Sequence, residues 1–244
     1  MLRLFVGASA LAALLSTAAL AADVPDYVTA AVADQTRPKG DRDADANRLP
    51  AETLAFAGVK PGMTVGELYP CGGYFSRLLV DVVGPKGKVY GTDTLRWNGC
   101  DDATRKAVGD RANYALAAEP FGVFRLPQKV DLFWITQNYH DLHIKKYGDV
   151  DLAAFNQAVF DSLKKGGTYF ILDHQANPGT SEDDIAKLHR IEKTQIIREV
   201  TAAGFKFAGE GTFLERASDD HTKPIFDPSV RGKTDQYALK FVRP

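Results

Sequence analysis

Cysteine, methionine and tryptophan are scarce in this chain, two of each in 244 residues, and neither sign of charge is in excess. Thirty Lys and Arg stand against 31 Asp and Glu, a formal net charge of −1. That balance excludes a general electrostatic grip on nucleic acid or on an anionic membrane surface. After the first 21 residues there is no uninterrupted apolar run long enough for a spanning helix, which needs roughly 18 residues or more. There is no internal repeat and no low-complexity tract, so solenoid and fibrous architectures are excluded. What is present is 45% hydrophobic, 25% charged, with 21 Gly and 12 Pro. That is the composition of an ordinary folded protein of one large domain.

Residues 1–21, MLRLFVGASALAALLSTAALA, set Arg3 ahead of an apolar stretch, with Ala19 and Ala21 at the positions a signal peptidase reads. The pattern predicts a signal peptide cleaved after Ala21 and a soluble mature chain in the periplasm or outside the cell. An oxidising compartment permits Cys71 and Cys100 to pair. Two independent thiols are the alternative, since a bond requires the two Cα atoms within about 7 Å.

Residues 22–48 are rich in Asp, Arg and Lys and poor in large apolar side chains. They read as a leader or lid on the surface, with one short helix over Val24 to Val32. Residues 49–244 read as an α/β domain. A helix over Pro50 to Gly58, with Leu54 and Phe56 inward, ends in a Lys60-Pro61-Gly62 turn. Met63 to Tyr69 is then a short buried strand running into Pro70-Cys71-Gly72-Gly73 and a helical YFSRLLVDVV. Further strands are predicted at Lys88 to Asp93, Val130 to Thr136, Thr168 to Asp173, Lys206 to Glu215 and Tyr237 to Val242. Between them, Asp151 to Leu163 carries Phe155, Val159 and Leu163 on one helical face. Ser181 and Asp184 resemble a capping box opening one helix through residue 203. Alternating strands and helices imply parallel pairing with right-handed crossovers. The expected fold is an open, doubly wound α/β sheet.

In such a sheet ligands bind beyond the carboxyl ends of the strands. Gly72 and Gly73 allow close backbone approach, and the helix after them points its free N–H groups at an anionic group. Asp93, at the end of the second strand, is placed to accept both hydrogen bonds of a ribose diol.

With these features in the order Glu67, Asp93, Asp131, Leu163-Lys-Lys-Gly-Gly167 and Ala203-Gly-Phe205, residues 49–244 resemble the class I S-adenosylmethionine-dependent methyltransferases. Asn138-Tyr-His-Asp141, Leu188-His-Arg-Ile191 and the tail DPSVRGKTDQYALKFVRP look like an exported, poorly characterised branch of predicted methyltransferases. The resemblance implies a Rossmann-like, doubly wound sheet of seven strands ending in an antiparallel pair, and S-adenosyl-L-methionine as cofactor, with Glu67 at the head of the glycine loop, Asp93 on the ribose, and methyl transfer to a small or surface-borne acceptor. The loop departs from the family pattern, since Tyr69 and Cys71 stand at two of its three alternate glycine positions and only Gly73 remains. Because the first two strands are neighbours in this fold, Cys71 and Cys100 fall on one rim. Trp97, just after Asp93, is a candidate to stack on the adenine.

Methyl transfer demands a positioned nucleophile and, for an oxygen acceptor, removal of its proton. His140 is the expected base, oriented by Tyr139 or Asp141, with His174 beside it at the end of the fifth strand. Trp134 reads as core, and His189 with Arg190 as a solvated or ion-paired couple on a helix. Two rival readings belong to other classes. One is a non-catalytic small-ligand binder on a degenerate methyltransferase fold. The other is a metal-dependent hydrolase using His140, His143, His174 and Asp173, joined by Asp219, Asp220 and His221.

Overall fold

The computed structural model describes residues 23–94 and 99–244. The segment expected to be a signal peptide and Trp97 lie outside the described residues. The leader forms two helices, α1 (Asp26–Ala33) and α2 (Lys39–Arg48), followed by α3 (Pro50–Ala57). Then come β1 (Thr64–Leu68), α4 (Tyr74–Val83), β2 (Lys88–Thr94), α5 (Cys100–Val108), β3 (Tyr114–Glu119) and β4 (Val130–Thr136). A 3-10 turn at His140–His143 leads to α6 (Leu152–Ser162), β5 (Leu163–His174), α7 (Glu182–Leu188), α8 (Lys193–Ala202), β6 (Lys206–Gly211) and β7 (Gln236–Val242).

The seven strands lie in the order β3-β2-β1-β4-β5-β7-β6, with β7 antiparallel to both its neighbours and the other pairs parallel. This is the expected doubly wound sheet with its antiparallel end. Alternation along each strand sorts side chains onto two faces. On β4, Phe133 and Ile135 join Tyr169, Ile171, Phe155, Val159, Ile196 and Val200 in one core. Leu132 and Trp134 join Phe170, Leu172, Leu54, Phe75 and Leu78 in the other. Trp134 is fully buried, and burial of each such large side chain is worth about 1.5–3 kcal/mol.

Four local readings change. The leader is helical because Arg37 grips Asp45 at 2.7 and 2.8 Å and Arg77 holds Asp41, which docks the polar α2 on α4. The helix expected over residues 181–203 is broken: Ser181 caps α7 as the pattern implies, but His189 takes a left-handed conformation at φ 56°. Ile191 then pairs with the chain beyond β5, its N–H reaching His174 O at 3.0 Å. The strand from Lys206 stops at Gly211, and Leu163 begins β5 instead of closing α6. Among the described residues no helix is long and apolar enough to cross a membrane.

Candidate active site at the carboxyl end of the sheet

The sheet changes direction between β1 and β4, where consecutive crossovers leave toward opposite edges, and such a point opens a crevice. A cavity of about 470 Å³ lies there, within the range of small-ligand sites. Glu67, Tyr69 and Cys71 line it from the β1 loop; His140, Asp141 and His174 line it from the ends of β4 and β5. Tyr69, Gln137 and His189, three lining residues, have positive φ without being glycine. Such backbone costs on the order of 1–3 kcal/mol each and gathers at functional sites.

Tyr69 occupies the first of the glycine positions and keeps a left-handed φ of 51°. Its ring stacks on Phe121 with centroids 5.5 Å apart, and its hydroxyl accepts from Gly122 N–H at 2.7 Å. The side chain thus forms wall instead of filling the crevice. Gly72 faces open space, whereas a Cβ on Gly73 would meet Ala107 Cβ at 2.8 Å. Gly73 is therefore required by the packing of α5; neither glycine is among the cavity-lining residues, where Tyr69, Pro70 and Cys71 represent the loop. Cys71 and Cys100 form a disulfide that joins the loop to the start of α5.

Glu67 is buried under the loop, within 3.4 Å of the Tyr114 hydroxyl. Burial pushes its carboxyl up to about 8, against the smaller opposing pull of its neighbours. Asp93 does end β2, but it is fully buried and is not among the cavity-lining residues. It accepts from Thr94 N–H at 3.0 Å and from the Thr104 hydroxyl at 3.1 Å, and burial raises its carboxyl.

On the opposite wall Asp173 takes the part expected of Tyr139. Its Oδ1 lies 2.7 Å from His140 Nδ1 and its Oδ2 accepts the His140 N–H at 2.9 Å. Tyr139 turns into the core, donating to Glu199 at 2.9 Å and accepting from Asn156 at 2.8 Å. Asp141 does reach His140, with Oδ1 3.3 Å from Nε2. Burial disfavours a charged His140, but the Asp173 and Asp141 carboxylates outweigh it and raise the imidazole to about 10. The near-neutral base expected at this position is thus a proton-holding imidazolium in this environment. Burial has the opposite result at His174, which falls to about 3 and lies 2.7 Å from the Thr234 hydroxyl through Nδ1.

His189 is the site residue that sequence reasoning missed. It is buried, lines the cavity, and sets Nδ1 3.3 Å from both His140 Nε2 and Asp141 Oδ1. Arg190, also buried, holds the helix break by donating to Lys223 O, Gln175 O and Asp219. The apolar spacing carried no signal of the break, because Ile185, Leu188, Ile191 and Ile196 step by three, three and five and return to one helical face after eleven residues. Of the rival metal set only His140, Asp173 and His174 come together. His143 is engaged by Glu182 and Glu199 at 3.2 Å each, Asp219 by Arg190 at 2.9 Å, and His221 by Asp235 at 2.8 Å.

No family model matches the sequence, and no curated protein does. Solved structures do match. A SAM-dependent methyltransferase from Aquifex aeolicus aligns with a TM-score of 0.60 at 17% identity, over 83% of this chain and 96% of its own. Aeropyrum pernix fibrillarin, in complex with natively bound S-adenosyl-L-methionine, aligns at 0.52 and 18%, over 82% and 76%. An arsenic(III) S-adenosylmethionine methyltransferase from Chlamydomonas reinhardtii aligns at 0.56 and 18%, over 89% and 73%. The chain has the Rossmann-like fold of the S-adenosylmethionine-dependent methyltransferases.

Proposed function

We propose that the protein binds S-adenosyl-L-methionine in the crevice between the β1 loop and the β4 and β5 ends, and transfers its methyl group to a small or surface-borne acceptor. The observation that carries this is the cavity's place at the switch point of a fold shared with methyltransferases, lined by the modified glycine loop on one side and by histidines on the other. Its volume fits a small-molecule cofactor. Glu67, Gly72 and the start of α4 would hold its methionine end. Asp93 would hold the ribose once α5 gives way at the Thr104 contact. Bound there, the cofactor supplies an electrophilic methyl group on a sulfonium.

The chain's own contribution is placement. Asp173 fixes the His140 ring with Nε2 facing Asp141 at 3.3 Å, so the acceptor's position is bounded by His140, Asp141 and His174. The Cys71–Cys100 bond supports the reading of an exported protein, since oxidising compartments sustain such bonds. Nothing in the near-zero charge favours a nucleic-acid acceptor.

Calorimetric titration of the purified chain with S-adenosylmethionine and S-adenosylhomocysteine tests the proposal. Binding at micromolar Kd, weakened tenfold or more by Asp93→Ala, is expected. Absence of binding, with the disulfide intact and after its reduction, overturns it.

One observation favours a second reading, that of a non-catalytic binder of a small ligand: Asp93 is sealed from the cavity and Tyr69 and Cys71 replace glycine. The two separate on turnover. Conversion of the cofactor to S-adenosylhomocysteine in the presence of small thiols, amines or carboxylic acids eliminates the binder.

A further inference from the structure

His140 Nε2, Asp141 Oδ1 and His189 Nδ1 form a triangle whose three edges are each 3.3 Å. In a regular tetrahedron the edge is about 1.6 times the centre-to-corner length, so bonds of about 2.0 Å span about 3.3 Å. The triangle is therefore one face of a zinc-sized tetrahedron, built from two imidazoles and one carboxylate. All three residues line the cavity.

The surroundings have the form of support for metal ligands. Asp173 Oδ1 lies 2.7 Å from His140 Nδ1, which fixes the proton on that nitrogen and frees Nε2 to ligate, the usual carboxylate–histidine support. Asp141 Oδ2 accepts from Asn138 Nδ2 at 3.0 Å, which leaves Oδ1 for the ion. His189 itself takes the left-handed conformation that ends α7, and the buried Arg190 behind it locks that turn. The only such cluster among the described residues is this one.

We infer that His140, Asp141 and His189 bind a divalent transition-metal ion, zinc by the edge length, with its fourth position open to the cavity. Three protein ligands and an open position are the arrangement of a catalytic and not of a structural zinc site. The ion would accept a water, hydroxyl or thiol from a small molecule in the crevice. This inference does not depend on methyl transfer, since the triangle is independent of the glycine loop.

Chelator-treated, desalted protein titrated with Zn²⁺ by equilibrium dialysis, and with Co²⁺ followed by visible absorption, provides the test. One equivalent of Zn²⁺ per chain and the intense visible bands of tetrahedral Co²⁺ are expected. His189→Ala and Asp141→Asn should abolish stoichiometric binding, and Asp173→Asn, which leaves the three donor atoms in place, should weaken it by about 10- to 100-fold. His143→Ala, whose ring is engaged elsewhere, should bind as the parent does. Absence of stoichiometric Zn²⁺ and of a Co²⁺ spectrum in the unaltered protein overturns the site even if the variants fail to fold. So does binding that survives His189→Ala, or binding lost on His143→Ala.

Discussion

Asp173 holds His140 twice, through the ring nitrogen at 2.7 Å and through the backbone N–H at 2.9 Å, and both residues are almost wholly buried. The end of β5 thereby sets the position of the turn that follows β4. Asp173→Ala would leave the His140 cation buried without its main partner, a loss of about 3–5 kcal/mol. Urea unfolding of the purified variant measures it. A loss well under 1 kcal/mol would mean that the pair does not organise this end of the sheet.

Glu67 gives a pH dependence whose direction is fixed by burial. Its carboxyl rises from the ordinary 4.5 to about 8 in the fold, so the folded chain keeps a proton that the unfolded chain has released. Stability contributed by this group is present below 4.5 and is lost as the pH climbs through 8. Glu67→Gln, neutral at every pH, should flatten the fall in Tm between mildly acidic and mildly alkaline buffers by several degrees. An unchanged slope would show that Glu67 is ionised when folded.

The Cys71–Cys100 bond joins residues 29 apart in sequence. Closing a loop of that size restricts the unfolded chain and contributes on the order of 3–4 kcal/mol. A Cys71→Ser, Cys100→Ser double variant should lose about that much in denaturant unfolding. Since the bond also ties the glycine loop to α5, cofactor titrations should differ between oxidised and reduced protein. Equal affinities would show that the bond only stabilises.

Gly72 and Gly73 separate conformation from contact. Both have positive φ, 81° and 68°, but only at Gly73 would a methyl group strike α5. Gly72→Ala should cost about 1–2 kcal/mol from the backbone alone. Gly73→Ala should cost roughly 1–3 kcal/mol more through overpacking against Ala107. Equal losses in thermal unfolding would remove the α5 contact from the account.

Strand and helix order was readable wherever burial imposed a period. Val130–Thr136 is the strand expected over those residues, and the Gly72-Gly73 turn leads into α4 as the glycines imply. Six strands could be located in the sequence; β3 (Tyr114–Glu119), the seventh, lies at the sheet edge and is mostly half-buried, so its alternation is weak. The polar α2 escaped because ion pairs to Arg37 and Arg77 hold it in place of an apolar stripe.

The sequence by itself determined the doubly wound sheet, the location of the crevice at the ends of β1 and β4, and the presence of His140, Asp141 and His174 beside it. The first follows from local periodicity, turn residues and the handedness of crossovers, and the other two from the resemblance to the methyltransferase family. Only the tertiary structure decided that Asp173 and not Tyr139 orients His140, that Asp93 is shut away behind Thr104, and that His189 leaves its helix to complete the triangle. Those outcomes depend on which side chains meet across elements distant in sequence. A left-handed residue at 189 and a buried Arg190 are favourable only once Asp219, Lys223 and Gln175 have been folded around them.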